Sequence, residues 1–165
     1  LAARLPWGAA LAAAASAAGQ GVARPNFTGV WKMRRTENLG GFMQEIDYNF
    51  ILAKTAGLAL VTQTIEDRGD ELDFTFEVAP PIFTSKRRCR VRVGAPETVM
   101  TDDAGREMRL INPVWNASVF TAELRYVKPR HELRIDRYME DDHMVEHVRY
   151  PSKGIEMRRI FQKVS

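Results

Sequence analysis

The sequence is short of cysteine, of histidine and, at its start, of acid, and each shortage closes off a class of protein. Cys89 is the sole cysteine, so no internal disulfide can form and no thiolate zinc cluster can be assembled. A disulfide-stapled secreted fold is excluded. The 11 glycines and 8 prolines are ordinary for this length, which excludes collagen-like repeats and wholesale disorder. None of the glycines falls into a dinucleotide-binding or P-loop pattern, and no serine sits in a Gly-x-Ser-x-Gly elbow. Nucleotide-binding and acyl-transfer motifs are therefore absent.

Histidine occurs three times, at His131, His143 and His147. The last two lie four apart, so on a strand they share a face at a separation of about 13 Å, too far for one metal ion. They read as exposed surface residues; the alternative is a single axial haem ligand in a barrel enzyme acting on peroxide or nitrogen oxides. No acidic residue precedes Glu37, and Ala9 to Ala18 is nearly all alanine with Arg4 before it. Residues 1–25 accordingly read as an alanine-rich leader, either disordered or a targeting peptide. The apolar run Leu5 to Ala18 is too short to span a bilayer, where about 20 residues are needed, but fits a signal h-region with a cleavage site at Ala15-Ser16-Ala17.

What remains is a chain of 165 residues, 45% hydrophobic and 27% charged, enough for one globular domain with a sizeable core. The net charge is only +3, so no strong field points to a particular polyanion. The arginine-rich run Arg87 to Arg92 carries no interleaved aromatics, which argues against single-stranded nucleic acid as partner. The acidic triplet Glu140-Asp141-Asp142 reads as a polar turn.

After a first strand from Trp31 to Glu37, the hydrophobic period changes. Asn38 is a candidate N-cap, and Leu39, Phe42, Met43 and Ile46 recur at helical spacing. Phe50, Ile51, Lys54 and Leu58 repeat that spacing after a break at Asp47 to Asn49, which predicts two short helices. From Leu60 the period falls to two, most clearly in Leu72-Asp-Phe-Thr-Phe-Glu-Val78. Cys89, Val91 and Val93, and then Phe120, Ala122, Leu124 and Tyr126, alternate in the same way. Turn-forming residues separate these runs at Asp67 to Asp70, Asp102 to Gly105, Asp141-Asp142 and Pro151 to Gly154. Short strands at such spacing predict an all-β antiparallel sandwich or barrel.

The segment Phe27-Thr-Gly-Val-Trp-Lys32, with Glu37-Asn38 and Phe42-Met43, resembles the opening of the intracellular lipid-binding proteins, the fatty-acid-binding and cellular retinoid-binding family within the calycin superfamily. The resemblance continues through Phe50, Ala56-Gly57, Ile65-Glu66 and Gly69-Asp70. It fades between Pro80 and Ala117, and resumes at Arg137 and at Arg158-Arg159-Ile160-Phe161. It implies that residues 26–165 form a ten-stranded antiparallel up-and-down β-barrel, lipocalin-like, capped by a short helix-turn-helix. The extra length would fall in loops around Asn112 to Asn116 and Pro151 to Gly154. A lipocalin-type carrier also opens with Gly-x-Trp, but without a helix pair after its first strand.

The resemblance further implies a non-enzymatic function: binding and transport of a hydrophobic small molecule, foremost a long-chain fatty acid, with a retinoid as the alternative. No cofactor, metal or nucleic acid is expected. The expected form is a cytoplasmic monomer in transient contact with anionic membranes, or a secreted or organellar one if the leader targets it. Arg137 and Arg159 match the family's carboxylate-binding positions, and each shares a strand face with apolar neighbours. The family's tyrosine two residues after the last arginine is replaced by Phe161, which removes one hydrogen bond. Glu146 falls on the inward side, where it would neutralise Arg137; with the register slipped by one residue it would face water instead. Phe42, Met43, Tyr48, Phe50 and Ile51 are expected at the ligand portal, although Phe42 and Met43 can equally be packing on the barrel rim. Trp31 is expected to plug the closed end.

Overall fold

The computed structural model describes residues 23–80 and 84–165. Residues 1–22, most of the expected leader, lie outside the described residues. Ten strands follow in chain order: β1 (Gly29–Glu37), β2 (Leu60–Asp67), β3 (Glu71–Ala79), β4 (Ser85–Arg92), β5 (Glu97–Thr101), β6 (Glu107–Asn116), β7 (Val119–Tyr126), β8 (His131–Glu140), β9 (His143–Tyr150) and β10 (Ile155–Lys163). Two helices, α1 (Leu39–Glu45) and α2 (Phe50–Thr55), are inserted between β1 and β2. All ten strands form one antiparallel sheet in the order β4-β3-β2-β1-β10-β9-β8-β7-β6-β5. The pairing of β1 with β10 joins the two ends of the chain and curls the sheet into a nearly closed barrel. The period-two runs predict an antiparallel sandwich or barrel, and this barrel with its helix pair is the form that the family resemblance implies.

Alternation explains why the strands hold together. In β3, Leu72, Phe74 and Val78 are buried while their neighbours face outward, and in β7 Phe120, Ala122, Leu124 and Tyr126 do the same. Burying a large apolar side chain contributes about 1.5–3 kcal/mol, so this inner face supplies the driving force. The sheet has two edges, β4 and β5, which do not pair with each other. Arg87 of β4 bridges them, donating from Nε to Asp103 Oδ1 at 2.8 Å and from Nη1 to the Thr101 carbonyl. The outward Lys86, Arg88, Arg90 and Arg92 keep the β4 edge charged, a protection against edge-to-edge association.

At the closed end Trp31 is buried and donates from its indole nitrogen to the Phe27 carbonyl at 2.8 Å. Phe27 stacks on Trp115, and Trp115 packs on Phe120. Arg24, two residues before the expected domain start, lies over Trp115 at 4.1 Å and donates to the Gly69 carbonyl at 2.8 Å.

Four expectations are corrected. Asn38 precedes α1 but adopts a left-handed conformation and makes no side-chain cap; its amide instead donates to the Glu156 carbonyl at 2.9 Å, tying the helix start to β10. In α2 the face bearing Phe50 and Ile51 turns outward, with the two side chains 58% and 69% exposed. Asn49 caps α2 by accepting from Ile51 N, and the helix rotates so that Leu52, Ala53 and Ala56 face inward. Gly40 makes room for this packing, since a Cβ there would stand 2.8 Å from the Ala53 carbonyl oxygen. Asn112 to Asn116 is no loop but part of β6, which takes up the extra length as a bulge between Ile111 and Val114. Pro113, having no N–H for the ladder, is the physical reason. His131 is not a surface residue: it is buried beneath the helices, with Nδ1 2.9 Å from the Tyr150 hydroxyl and Nε2 2.9 Å from Asp47 Oδ2.

Candidate functional site

The barrel encloses a cavity of about 430 Å³, within the size range of small-molecule sites. Its walls are mostly apolar, with Phe42 and Met43 from α1, Val61 and Phe76 from the front strands, and Leu124 and Ile135 from the back. Set into this lining is a cluster of charge.

The cluster follows from strand register. Glu146 of β9 stands opposite Arg137 of β8 and opposite Arg159 of β10, so one carboxylate lies between two guanidinium groups on three adjacent strands. The two-residue turn at Asp141-Asp142 fixes this pairing, because it sets Glu140 against His143 and, three residues further along, Arg137 against Glu146. Arg137 Nη2 donates to Glu146 Oε2 at 2.8 Å. Arg159 Nε donates to Glu146 Oε1 at 2.9 Å, and its Nη2 donates to the same oxygen. Gln63 of β2 completes the group, donating to Glu146 Oε2 at 3.0 Å and accepting from Arg137 Nη1 at 2.7 Å. Glu146 is 2% exposed and Arg137 4%. The inward reading of Glu146 and its neutralisation of Arg137 thus describe what is seen.

Burial by itself would raise the Glu146 pKa, but the charges of Arg159 and Arg137 and the Gln63 hydrogen bond outweigh it and pull the value down to about 2. Glu146 is therefore ionised at neutral pH. Two guanidinium groups against one carboxylate leave the cluster with one surplus positive charge. Arg137 is spent on Gln63 and Glu146, with Met144 Sδ at 3.4 Å and the Phe74 ring at 5.0 Å. Arg159 Nη1 has no hydrogen-bond partner among the described residues, and Arg159 lines the cavity with its side chain 21% exposed.

A second ionic group closes the mouth. Asp102, buried in the β5–β6 turn, accepts from the Tyr48 hydroxyl at 2.6 Å, from Arg106 Nε at 2.9 Å and from the backbone N–H groups of Ala104 and Arg106. Burial pushes its carboxyl upward, yet these bonds outweigh it and hold it below the ordinary carboxylate range. Burial, and then Tyr126 and Asp102, push the Tyr48 phenol far up, so it remains the donor. The Arg106 guanidinium lies over the Tyr48 and Tyr126 rings at 4.2 and 4.5 Å and donates to the Ile46 carbonyl at 2.7 Å.

Of the residues singled out in the sequence, Arg137, Glu146, Arg159, Phe42, Met43 and Tyr48 all line this cavity. Phe161 is fully buried beside Arg159 but lies behind the lining, and Phe50 and Ile51 are outside it. None of the three histidines lines the cavity. His143 pairs with Asp142 and His147 with Glu156, both at 2.8–2.9 Å, so a haem in the barrel would find no axial histidine. Among the described residues no three metal-ligating side chains converge. Sequence reading missed Gln63, Asp102 and Arg106. For Gln63 a signal existed: it sits between Val61 and Ile65 on the inward parity of β2, a polar side chain on an apolar face.

No family model matches the chain. Cellular retinoic acid-binding protein 1 from cattle is 31% identical over 91 residues, covering 55% of this chain and 64% of that relative. The human protein of the same name is 31% identical over 85 residues, 52% of this chain and 60% of its own length. The chain thus spans under two thirds of the curated relatives it matches. Among solved structures, fatty-acid-binding protein 1 of Echinococcus granulosus superposes with a TM-score of 0.70 at 18% identity, covering 84% of this chain and 98% of that one. A structure described as the REP1-NXSQ fatty acid transporter gives 0.71 at 18% identity, with 84% and 96% covered. At such identity these two show the fold.

Proposed function

We propose that this chain is a member of the intracellular lipid-binding proteins, that it binds and carries a hydrophobic small molecule in its barrel without catalysing a reaction, and that a long-chain fatty acid is among its ligands. One observation carries the reading: an apolar cavity holds a buried cluster with one unmatched positive charge, and the Arg159 Nη1 hydrogen on that cluster is still free. An acyl chain gains about 0.8 kcal/mol for each CH₂ buried, so affinity comes from the lining, and the free N–H orients the head. The mouth cluster offers no such opening: its charges are matched, and its one unpartnered nitrogen, Arg106 Nη2, is buried on a residue that does not line the cavity.

A second reading, a retinoid carrier, is favoured by the 31% identity to cellular retinoic acid-binding protein 1. The proposal extends to a cytoplasmic monomer that exchanges cargo at anionic membranes. The exposed Phe50, Ile51, Leu58 and Leu60, with Lys54 4.3 Å from the Phe50 ring, support that contact. Among the described residues no helix is long and apolar enough to cross a membrane.

Displacement of a fluorescent fatty acid tests the proposal, with oleate and retinoic acid as competitors. Saturable one-site binding is expected, and Arg159→Gln should weaken oleate about tenfold or more, the scale of a charge-assisted contact. Absence of saturable binding by every fatty acid and retinoid tried would overturn it.

A further inference from the structure

We infer that Glu146 sets the head-group class of the cargo, making this a site where lipids with an uncharged hydroxyl or carbonyl oxygen bind at least as well as the corresponding acids. The inference rests on the reading of the cavity as the lipid site and narrows what that site takes.

Both oxygens of Glu146 are already engaged. Its Oε1 accepts two N–H groups of Arg159, and its Oε2 accepts one from Arg137 and one from Gln63. The remaining terminal nitrogen of Arg137 is held by Gln63. A cargo carboxylate therefore finds the Nε/Nη2 side of Arg159 already filled by the protein's own carboxylate and both terminal nitrogens of Arg137 engaged, which leaves it only the outer, Nη1 end of Arg159. What remains is the Nη1 end of Arg159, beside the Asp103 carboxylate that also lines the cavity.

Charge argues the same way. A carboxylate on that donor would lie across one guanidinium from Glu146, in a site where the protein screens poorly. Asp103 adds to this: it lines the cavity, pairs with Arg87 through Oδ1, and its charge reaches Arg159. Glu146 and Asp103 thus both lie beside Arg159 on the cavity wall, and they offset the pull that the one surplus positive charge would exert on an acid head. An alcohol or aldehyde oxygen accepts the same Arg159 hydrogen without that repulsion. A hydroxyl can in addition donate to Asp103 Oδ2, which has no hydrogen-bond partner among the described residues.

Phe161, fully buried two positions after Arg159, brings no hydroxyl to this wall, so the carboxylate there is held by Gln63 and the two arginines, and it is Glu146 that they hold.

The test compares oleate with oleyl alcohol as competitors of a fluorescent fatty acid at neutral pH, on the full chain and on Glu146→Gln. The full chain should bind the alcohol as tightly as the acid or more tightly. Glu146→Gln frees both guanidinium groups and should raise oleate affinity about tenfold while leaving the alcohol within about threefold, reversing the preference. If Glu146→Gln does not fold by circular dichroism, Arg137→Gln/Glu146→Gln gives the same readout: it removes one charge of each sign and leaves Arg159 without a protein carboxylate on its fork. The inference is overturned if the full chain binds oleate tenfold or more tightly than the alcohol, or if neither variant shifts the ratio. Failure of every lipid to displace the probe would instead overturn the lipid site itself.

Discussion

Arg137, Glu146 and Arg159 in the barrel wall and Arg106, Asp102 and Tyr48 at its mouth are built from the same ingredients, arginine set against carboxylate beside an aromatic ring, yet they end in opposite conditions. In the wall two cations share one anion, and Arg159 keeps a free N–H toward the cavity. At the mouth one cation meets one anion and the further bonds run to Ile46 and Tyr48, so the group fastens the α1–α2 turn over the barrel, although Arg106 Nη2 is buried there without a partner. Buried charge alone therefore does not mark a binding site. Unmatched charge and an unused donor do, and only the wall has both. The mouth cluster is a fastening, helped from the other side by His131 on Asp47 and by Lys153 on Glu45.

The largest expected effect separates the two clusters by stability. Arg137→Met removes the surplus cation but leaves Glu146 Oε2 with Gln63 alone and Gln63 with an unsatisfied buried carbonyl, which should cost about 3 kcal/mol in chemical denaturation. Arg106→Met should cost less, because Asp102 keeps Tyr48 and two backbone N–H groups. Equal losses would erase the distinction between a strained wall and a self-sufficient mouth.

Acid should sharpen it further. The folded pKa of Glu146 is about 2 against an ordinary value of 4.5, so its contribution is fully present above 4.5 and is lost as pH falls from there toward 2. The shift corresponds to about 3 kcal/mol. Asp102 is lowered as well, so it acts in the same direction. Unfolding free energies measured across this range should fall steeply for the full chain, and Glu146→Gln should remove the larger part of that slope. A slope unchanged in the variant would mean that Glu146 titrates as an ordinary carboxyl.

How much of this was legible beforehand depends on which interaction fixes each feature. The all-β class was legible because its cause is local, alternation in β3 and β7 leaving one face apolar; the choice of barrel over sandwich came from the family resemblance. The wall cluster was partly legible, since the family resemblance points to Arg137 and Arg159 and the parity of its strand turns Glu146 inward. Arg159 and Gln63 join it only through pairing of β9 with β10 and closure across to β2, contacts between residues 13 and 83 positions from Glu146. The mouth was not legible. Asp102 reads as a turn residue, and nothing near it in sequence shows that Tyr48, 54 positions earlier, will reach it. The second helix misled for a different reason: Phe50, Ile51 and Lys54 have helical spacing, but six residues cannot enforce a face against tertiary packing, and Leu52 and Ala53 took the inner side.

A smaller effect probes the fastening. Tyr48→Phe keeps the ring on Arg106 and removes only the hydrogen bond to Asp102, so a loss of about 1 kcal/mol is expected. Amide hydrogen exchange should quicken at Ile46 to Tyr48, where the α1–α2 turn is held, and stay unchanged in β8 to β10. Exchange that quickens equally in both places would show that wall and mouth open as one unit.

The smallest effect belongs beyond the fastening. Phe50 follows the α1–α2 turn directly, but its ring points to solvent and its one neighbour of note is Lys54, which lies over the ring. Phe50→Ser should therefore change stability by less than about 0.5 kcal/mol, the usual range for an exposed position. Affinity for a lipid at equilibrium should also hold, because the side chain does not line the cavity. The transfer rate is the sensitive quantity: an exposed ring with a cation beside it is suited to meeting an anionic bilayer, so release of a fluorescent fatty acid to anionic vesicles should slow in the variant while release to neutral vesicles does not. A loss of stability or of equilibrium affinity would instead place Phe50 inside the packing of the cap, and the wall would no longer be the part of the molecule that alone determines what is bound.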